Sequence, residues 1–249
     1  MALKQTNLFE GLLNVQTAPA LAPSPLIILQ ALKGNCRNCR LGVTSDKTND
    51  GVTYAGNPNS RVAILGDMPE VSGTMLTKRL PIAGEPQGRL QGWLKAVGLQ
   101  EEDIFFINVV QCKTSKGKAK NAEIRAPFNE EIDACFPFRA LRVLQANTKL
   151  EVVITLGWTA AGALIGRVPE PRQKSHEGQW FGTDLLPGVA VFCLDHPREF
   201  CGSEVEARRV GRLRQYLNFF LSEYLDPRTS KIMQILKTRT EERTQTKAE

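Results

Sequence analysis

The cysteines of this 249-residue chain are spaced in a way that could hold a metal centre. Cys36 and Cys39 form a C-x-x-C pair, and Cys112 and Cys135 follow much later. Four thiolates suit either a zinc ion or an iron–sulfur cluster, so the residues alone leave both open. A C-x-x-C pair is also compatible with a redox dithiol. A disulfide framework is not expected in an intracellular chain of this length.

Three polar side chains stand at the ends of apolar runs. Asp67 and His196 each follow such a run, and Asn108 lies near the end of a third. A carboxylate can position water or stabilise a developing positive charge, and an imidazole can donate a hydrogen bond to a leaving group. An amide offers both a donor and an acceptor. These three groups are therefore candidates for a functional site.

Strands and helices alternate along the chain, and this order determines where those side chains meet. Four apolar runs predict buried strands at residues 61–66, 104–110, 151–157 and 189–194. Helices are predicted at residues 88–97, 129–146, 159–166 and 203–225. The alternation predicts a three-layer α/β/α fold with a central, mainly parallel, four-stranded sheet. Right-handed crossovers bring the carboxyl ends of the strands to one edge, where Asp67, Asn108 and His196 should gather.

The composition excludes several classes of protein. Hydrophobic residues make up 42% and charged residues 23%, which excludes collagen, coiled-coil rods and wholesale disorder. No apolar run approaches the roughly 18 to 20 residues that a membrane helix needs. The first residues do not resemble a signal peptide, because polar side chains interrupt any apolar stretch. A cytoplasmic protein with no membrane partner is therefore expected.

The net charge of +6 indicates a polyanionic partner, although a basic run can also be a solvated face. The excess of positive charge is concentrated in residues 111–125, the basic segment. This segment contains one acidic residue, Glu123, and five basic residues: Lys113, Lys116, Lys118, Lys120 and Arg125. A second group of arginines lies within residues 208–214.

Three regions are expected along the chain. Residues 1–25 are interpreted as an N-terminal extension that ends in a linker rich in proline and alanine. Residues 26–225 are predicted to form one domain, and residues 226–249 a charged tail that is partly disordered. A monomer is expected.

Several short motifs, in this order, resemble the iron–sulfur uracil-DNA glycosylases of family 4. They are GDMP at 66–69, PIAG at 81–84, INVVQC at 107–112, the segment 131–135 that ends in a cysteine, and DHP at 195–197. The resemblance spans roughly residues 34–225. It implies an enzyme that hydrolyses the N-glycosidic bond of uracil in DNA after flipping the base, and leaves an abasic site.

The resemblance also implies roles for individual residues. His196 would donate a hydrogen bond to the departing base, and Asp67 would position water and stabilise the positive charge on the sugar. Asn108 would pair with the uracil N3–H and O4. The four cysteines named above would hold a [4Fe–4S] cluster, with zinc as the alternative.

Further residues are assigned to substrate and DNA binding. The substrate loops are expected to contribute Gly66, Met68, Pro69, Ile82 and Gly84. DNA contacts are expected from Lys113, Lys116, Lys118, Arg198 and Phe200, the last as a wedge in the base stack.

The chain departs from the family pattern at some of these positions. Asp67 stands where a glutamate is usual, Glu70 where a glycine is usual, and Ile82 where an aromatic ring normally stacks on the base. The alternative hypothesis is therefore a member of the same fold with weak or no catalysis, acting as a DNA-binding module or a protein-interaction component.

Overall fold

The computed structural model describes residues 23–32, 36–44, 54–69, 81–96, 99–114, 124–166 and 177–198. Several predictions fall outside these residues: the extension up to residue 22, the helix at 203–225, the charged tail, Glu70, Lys116, Lys118 and Phe200. They remain predictions.

A six-stranded sheet forms the centre of the molecule. Its strands are β1 (Tyr54–Gly56), β2 (Val62–Gly66), β3 (Ile104–Asn108), β4 (Val152–Leu156), β5 (Trp180–Phe181) and β6 (Ala190–Leu194). Their order in the sheet is β1-β3-β2-β4-β6-β5. The four central strands are mutually parallel, as predicted, and nearly every one of their residues is buried.

The prediction of four strands was wrong in number, because two antiparallel edge strands complete the sheet. β1 pairs with β3, and β5 pairs with β6. These strands have three and two residues and are only partly buried. Neither offers the apolar run that identifies a buried strand, and short edges of this kind limit pairing with other chains. The α/β class and the mainly parallel character of the sheet are confirmed.

Helices cover both faces of the sheet. They are α1 (Pro25–Ala31), α2 (Arg40–Thr44), α3 (Glu85–Ala96), α4 (Asn129–Cys135), α5 (Ala140–Ala146) and α6 (Gly157–Ile165), with a short 3-10 turn at Glu101–Asp103. The single helix predicted over 129–146 is wrong: Pro137 lies between α4 and α5, and proline cannot continue the helical hydrogen bonds. Within the described ranges, no helix is long and apolar enough to cross a membrane.

Alternation along each strand divides the core between the two faces. Ala63 and Leu65 of β2 pack in a cluster with side chains of α1, α4, α5 and α6. Val62 and Ile64 of the same strand pack in a second cluster, with Leu90 of α3 and its neighbours. The result is the predicted three-layer arrangement, with the carboxyl ends of all four parallel strands at one edge of the sheet.

Candidate active site

Asp67 and His196 face each other at the carboxyl edge of the sheet. Asp67 directly follows β2, and His196 lies two residues after β6. His196 Nε2 lies 3.6 Å from Asp67 Oδ1, and the two side chains are 11% and 13% exposed. The topology therefore brings together two groups that are 129 positions apart in sequence.

The hydrogen bonding of His196 defines which ring nitrogen carries the proton. The backbone N–H of Arg198 donates to His196 Nδ1 over 3.0 Å. Because Nδ1 accepts this bond, the neutral imidazole carries its proton on Nε2. Nε2 is the nitrogen that faces Asp67, so the ring presents an N–H donor on the side of the carboxylate.

The surroundings of Asp67 favour its ionised form. Burial alone would raise the pKa of this carboxyl group. The contact with His196 and its electrostatic attraction, the charge of Arg198, and the backbone N–H of Met68 outweigh burial, so the pKa of Asp67 is lowered from its usual 3.8. The N–H of Met68 donates to Asp67 Oδ1 over 2.8 Å. Asp67 is therefore a carboxylate at neutral and mildly acidic pH.

We expect this lowered pKa to appear in the pH dependence of stability. The ionised form of Asp67 stabilises the folded state fully above pH 3.8, and this contribution is lost as the pH falls through the lower folded-state pKa. Asp67→Asn should therefore lower the free energy of unfolding at neutral pH, by up to roughly 1.5 to 3 kcal/mol, the range for hydrogen bonds to charged groups. The difference from wild type should shrink as the pH drops below 3.8.

Denaturant unfolding at a series of pH values measures this difference. Asp184→Asn, at an exposed position, is the matched control and should leave the unfolding free energy nearly unchanged. A gap between Asp67→Asn and wild type that is equally large at every pH would show that the carboxylate has no lowered pKa.

Asn108 ends β3 with its amide in a fixed orientation. It is 1% exposed, and its Nδ2 donates to the carbonyl oxygen of Pro81 over 2.8 Å. A carbonyl only accepts, so the nitrogen must lie on that side and Oδ1 on the other. Among the described residues Oδ1 has no hydrogen-bond partner. The fold thus holds a buried acceptor in a defined direction.

Two glycines leave the space that these side chains occupy. A Cβ on Gly66 would lie 2.3 Å from Asn108 Oδ1, so only glycine allows the amide this position. A Cβ on Gly157 would lie 3.2 Å from the Cβ of His196, and Gly157 has a φ of +79°, which disfavours other residues. Gly66 lay within the predicted site, whereas Gly157 was predicted only as the end of a strand.

The remaining predicted substrate residues differ in how far they are buried. Ile82 is 5% exposed and packs in the cluster under α3, where it has little surface for contact with a ligand. The side chain of Met68 is 1% exposed and packs on the opposite face of the sheet, so only its backbone lies near Asp67. Pro69 is buried, whereas Gly84 is exposed immediately before α3.

Arg89 of α3 links that helix to the loop that carries His196. Its guanidinium donates to the carbonyl oxygen of Pro197 over 2.8 Å and forms an ion pair with Glu85 one turn earlier. The side chain of Arg89 is 14% exposed, whereas that of Glu85 is 78% exposed, so the bond to Pro197 is the better shielded of the two contacts. Sequence patterns gave no sign of this contact, because its partner is a backbone atom 108 residues away.

Three of the four predicted cysteine ligands influence one another. Cys112 and Cys135 are buried in the same core cluster, and the backbone N–H of Gln111 donates to Cys135 Sγ over 3.4 Å. Burial raises the pKa of Cys135 to about 12; nearby Cys112 and Cys39 raise it too, whereas Gln111 and Arg139 lower it. Any metal bound here must therefore displace a proton from the thiol.

The cysteines have the right chemistry for a metal–sulfur centre, but their side chains are not arranged around a common metal position. Thiolates are the usual ligands of zinc and iron–sulfur centres, and N–H donors to sulfur are common around them. Within the described residues, however, no group of three or more His, Cys, Asp or Glu side chains is arranged to hold a metal ion. The cluster predicted from sequence is not shown.

Arg125, the last residue of the basic segment, makes contacts within the protein. Arg125 makes two hydrogen bonds to the carboxylate of Glu131, and its guanidinium lies 3.8 Å from the centre of the Phe128 ring. Burial would raise the pKa of Glu131, but Arg125 and the backbone N–H of Phe128 lower it below its usual value. Arg125 thus fixes the start of α4, whereas Lys113 is half-buried at the start of the basic segment.

Comparison with known families decides the identity of this fold. The family sequence model of the uracil DNA glycosylase superfamily matches residues 53–209. This match covers more than half of the chain and includes Asp67, Asn108 and His196. The chain belongs to the uracil-DNA glycosylase superfamily. The resemblance found in the motifs is thereby confirmed.

Individual members of the superfamily are similar over part of their length. A type-4 uracil-DNA glycosylase of Archaeoglobus fulgidus is 30% identical over 51% of this chain, and the match spans only 57% of that protein. Type-4 enzymes of Pyrobaculum aerophilum and Thermotoga maritima are 28% and 26% identical, over 63% and 65% of this chain and 76% of their own lengths. At this distance the glycosylase family is established, while the substrate is a separate question.

Proposed function

We propose that this superfamily member is a uracil-DNA glycosylase, which hydrolyses the bond between uracil and deoxyribose and leaves an abasic site. The observation that carries the proposal is the buried Oδ1 of Asn108, which has no hydrogen-bond partner in the described part of the chain. A buried acceptor without a partner costs about 1 to 3 kcal/mol, which a ligand with a matching donor would recover. The fixed amide therefore favours a base that offers an N–H at that point.

The orientation of Asn108 distinguishes uracil from cytosine. Uracil carries a hydrogen on N3 and a carbonyl at C4, whereas cytosine has a bare N3 acceptor and an amino group. Nδ2 is held on the Pro81 carbonyl, so Oδ1 faces the base and accepts from the uracil N3–H. The second hydrogen of Nδ2 is available for O4. Cytosine would place its N3 acceptor against Oδ1, which is repulsive.

His196 supplies the donor for the departing base. Cleavage of the glycosidic bond leaves the electron pair on the base, and the negative charge develops on its carbonyl oxygens. At 3.6 Å from Asp67 Oδ1, beyond hydrogen-bond distance, the Nε2–H of a neutral His196 is not held by the carboxylate. It donates to such an oxygen of the base, and the bond strengthens as the charge grows. The Arg198 N–H on Nδ1 fixes both the tautomer and the ring orientation before substrate arrives.

Asp67 acts on the sugar side of the same bond. As the base leaves, the sugar gains oxocarbenium character, and a carboxylate nearby stabilises that positive charge. The lowered pKa of Asp67 keeps it ionised at the pH of the reaction. Asp67 also positions the water that adds to the sugar, so a shorter side chain than glutamate performs the same two tasks here.

Basic side chains at this edge are proposed to bind DNA through its phosphate groups. Flipping a base out of a duplex costs a few kcal/mol, and contacts to the phosphates help to recover it. Arg198 lies beside Asp67, and Lys113 begins the basic segment. We assign phosphate contacts to these two, together with Lys116 and Lys118, and the wedge in the stack to Phe200.

The four cysteines are proposed to bind a [4Fe–4S] cluster, with zinc as the alternative. The residues that would hold it are Cys36, Cys39, Cys112 and Cys135. When bound, the group would supply a structural cross-link rather than a step of the reaction. Cys112 follows β3 and Cys135 ends α4, so the cross-link would tie the N-terminal segment and α4 to the strand that carries Asn108.

Metal analysis of a cysteine variant tests this assignment. We expect purified wild-type protein to contain iron and the broad visible absorbance of an iron–sulfur cluster, and Cys135→Ser to lose most of both. Cys193→Ser is the matched control, because Cys193 is buried in the same core cluster but lies outside the proposed set. Zinc in place of iron would identify the alternative centre, and equal metal in the two variants would rule out Cys135 as a ligand.

Uracil release from DNA is the direct test of the proposed function. Metal-loaded wild-type protein is incubated with a labelled oligonucleotide that contains one uracil, and alkali then cleaves any abasic site. Strand breakage with uracil, and none with cytosine at the same position, would support both the activity and the role of Asn108. Tight binding of the oligonucleotide without breakage would instead indicate the DNA-binding module.

A further inference from the structure

Gln111 contacts both Cys135 and Asn108, the residue that we propose pairs with uracil. It lies three positions after Asn108 and is 2% exposed. Its side-chain amide donates to the backbone carbonyl of Asn108, and its backbone N–H donates to Cys135 Sγ over 3.4 Å. One buried residue thus contacts both the strand end that carries Asn108 and the thiol at the end of α4.

The contact from Gln111 completes the restraint on Asn108. The Asn108 side chain is held on one side by the Pro81 carbonyl, and Oδ1 rests in the space above Gly66. The peptide group that follows Asn108 is held at its N–H by the Gly66 carbonyl and at its carbonyl by the Gln111 amide. Because rotation of that peptide would swing the side chain, the direction of Oδ1 depends on these two bonds together with the bond to Pro81.

We propose that Gln111 is a positioning residue for Asn108, which aims Oδ1 at the base; this inference rests on the proposed function. A buried amide is costly unless it is hydrogen-bonded, and an apolar side chain of equal length would fill the same space without that cost. The hydrogen bond to Asn108 is therefore a reason for an amide at this position. A misplacement of about 1 Å at a reacting group can cost about 10²-fold in rate.

The test compares Gln111→Met with a chemically identical change elsewhere. Methionine keeps the length of the side chain and removes the donor. Gln145→Met is the matched control, since Gln145 also donates to a backbone carbonyl, that of Leu185 at 3.1 Å, but is exposed on α5. Uracil release, KM for the oligonucleotide, iron content and a crystal structure are determined for both variants and wild type.

Gln111→Met is expected to lower kcat by about 10-fold, part of the cost of a full misplacement, with KM within about 2-fold of wild type. Its iron content should equal that of wild type, because the backbone N–H to Cys135 is unchanged. In the crystal structure the Asn108 Nδ2 to Pro81 oxygen distance should lengthen. Gln145→Met should match wild type in all four measurements.

Two results would overturn the proposal: an Asn108 amide that stays in place in Gln111→Met, or an active wild type whose kcat falls no more in Gln111→Met than in Gln145→Met. If wild type releases no uracil but Asn108 moves in Gln111→Met, the proposed function fails while the positioning contact stands. The crystal structure therefore separates failure of one proposal from failure of the other.

Discussion

His196→Ala is expected to lower the rate of uracil release by about 10²- to 10³-fold, the usual cost of one preorganised donor to a developing negative charge. The imidazole is 11% exposed, and its Nδ1 is already bonded to the Arg198 N–H. Water entering the space left by the ring would not be oriented in this way. The loss should therefore fall on kcat, because the bond strengthens only as the base departs.

Single-turnover rates with a uracil oligonucleotide measure this loss, and His176→Ala, which changes the other histidine of the chain, is the control. Denaturant unfolding of His196→Ala should accompany the rates, so that lost activity is not confused with lost structure. An active wild type with an unchanged rate in His196→Ala would mean that another group stabilises the departing base.

Gly66→Ala is the second change with a large expected effect. Its Cβ would lie 2.3 Å from Asn108 Oδ1 and 3.0 Å from the Phe106 ring, and both neighbours are buried. Either the amide or β2 must move. We expect uracil release to fall by about 10²-fold through misplacement of Oδ1, and stability to fall by about 1 to 3 kcal/mol through overpacking.

Gly92→Ala controls for the general effect of adding a methyl group to a glycine. Gly92 lies on an exposed face of α3, and a Cβ there would meet nothing within 4 Å. This variant should keep full activity and gain slight stability, since alanine favours helix. If Gly66→Ala released uracil as fast as wild type, Asn108 Oδ1 would not need its present position. Its proposed role in pairing with uracil would then be wrong.

Much of the sheet could be predicted because its central strands are buried on both faces. A strand such as Ile104–Asn108 must be apolar almost throughout, and this leaves a run that is visible in the sequence. The edge strands Tyr54–Gly56 and Trp180–Phe181 are short and half-exposed, so no run marks them. The break between α4 and α5 was visible as Pro137, but the apolar residues on either side suggested one continuous helix.

The amino-acid sequence is sufficient to show which polar groups reach one edge of the sheet. Asp67, Asn108 and His196 end parallel strands, and parallel connections of one hand bring such ends together. The order of the motifs also sufficed to indicate the superfamily, which the comparisons confirm.

The orientation of those groups becomes visible only in the folded chain. The partners that orient them are backbone atoms: the Met68 N–H for Asp67, the Pro81 carbonyl for Asn108 and the Arg198 N–H for His196. Every residue type except proline offers the same backbone N–H, and every residue the same carbonyl, so such contacts leave no mark in the amino-acid pattern. They exist only once the chain has folded, and they turn a carboxylate, an amide and an imidazole into an oriented site.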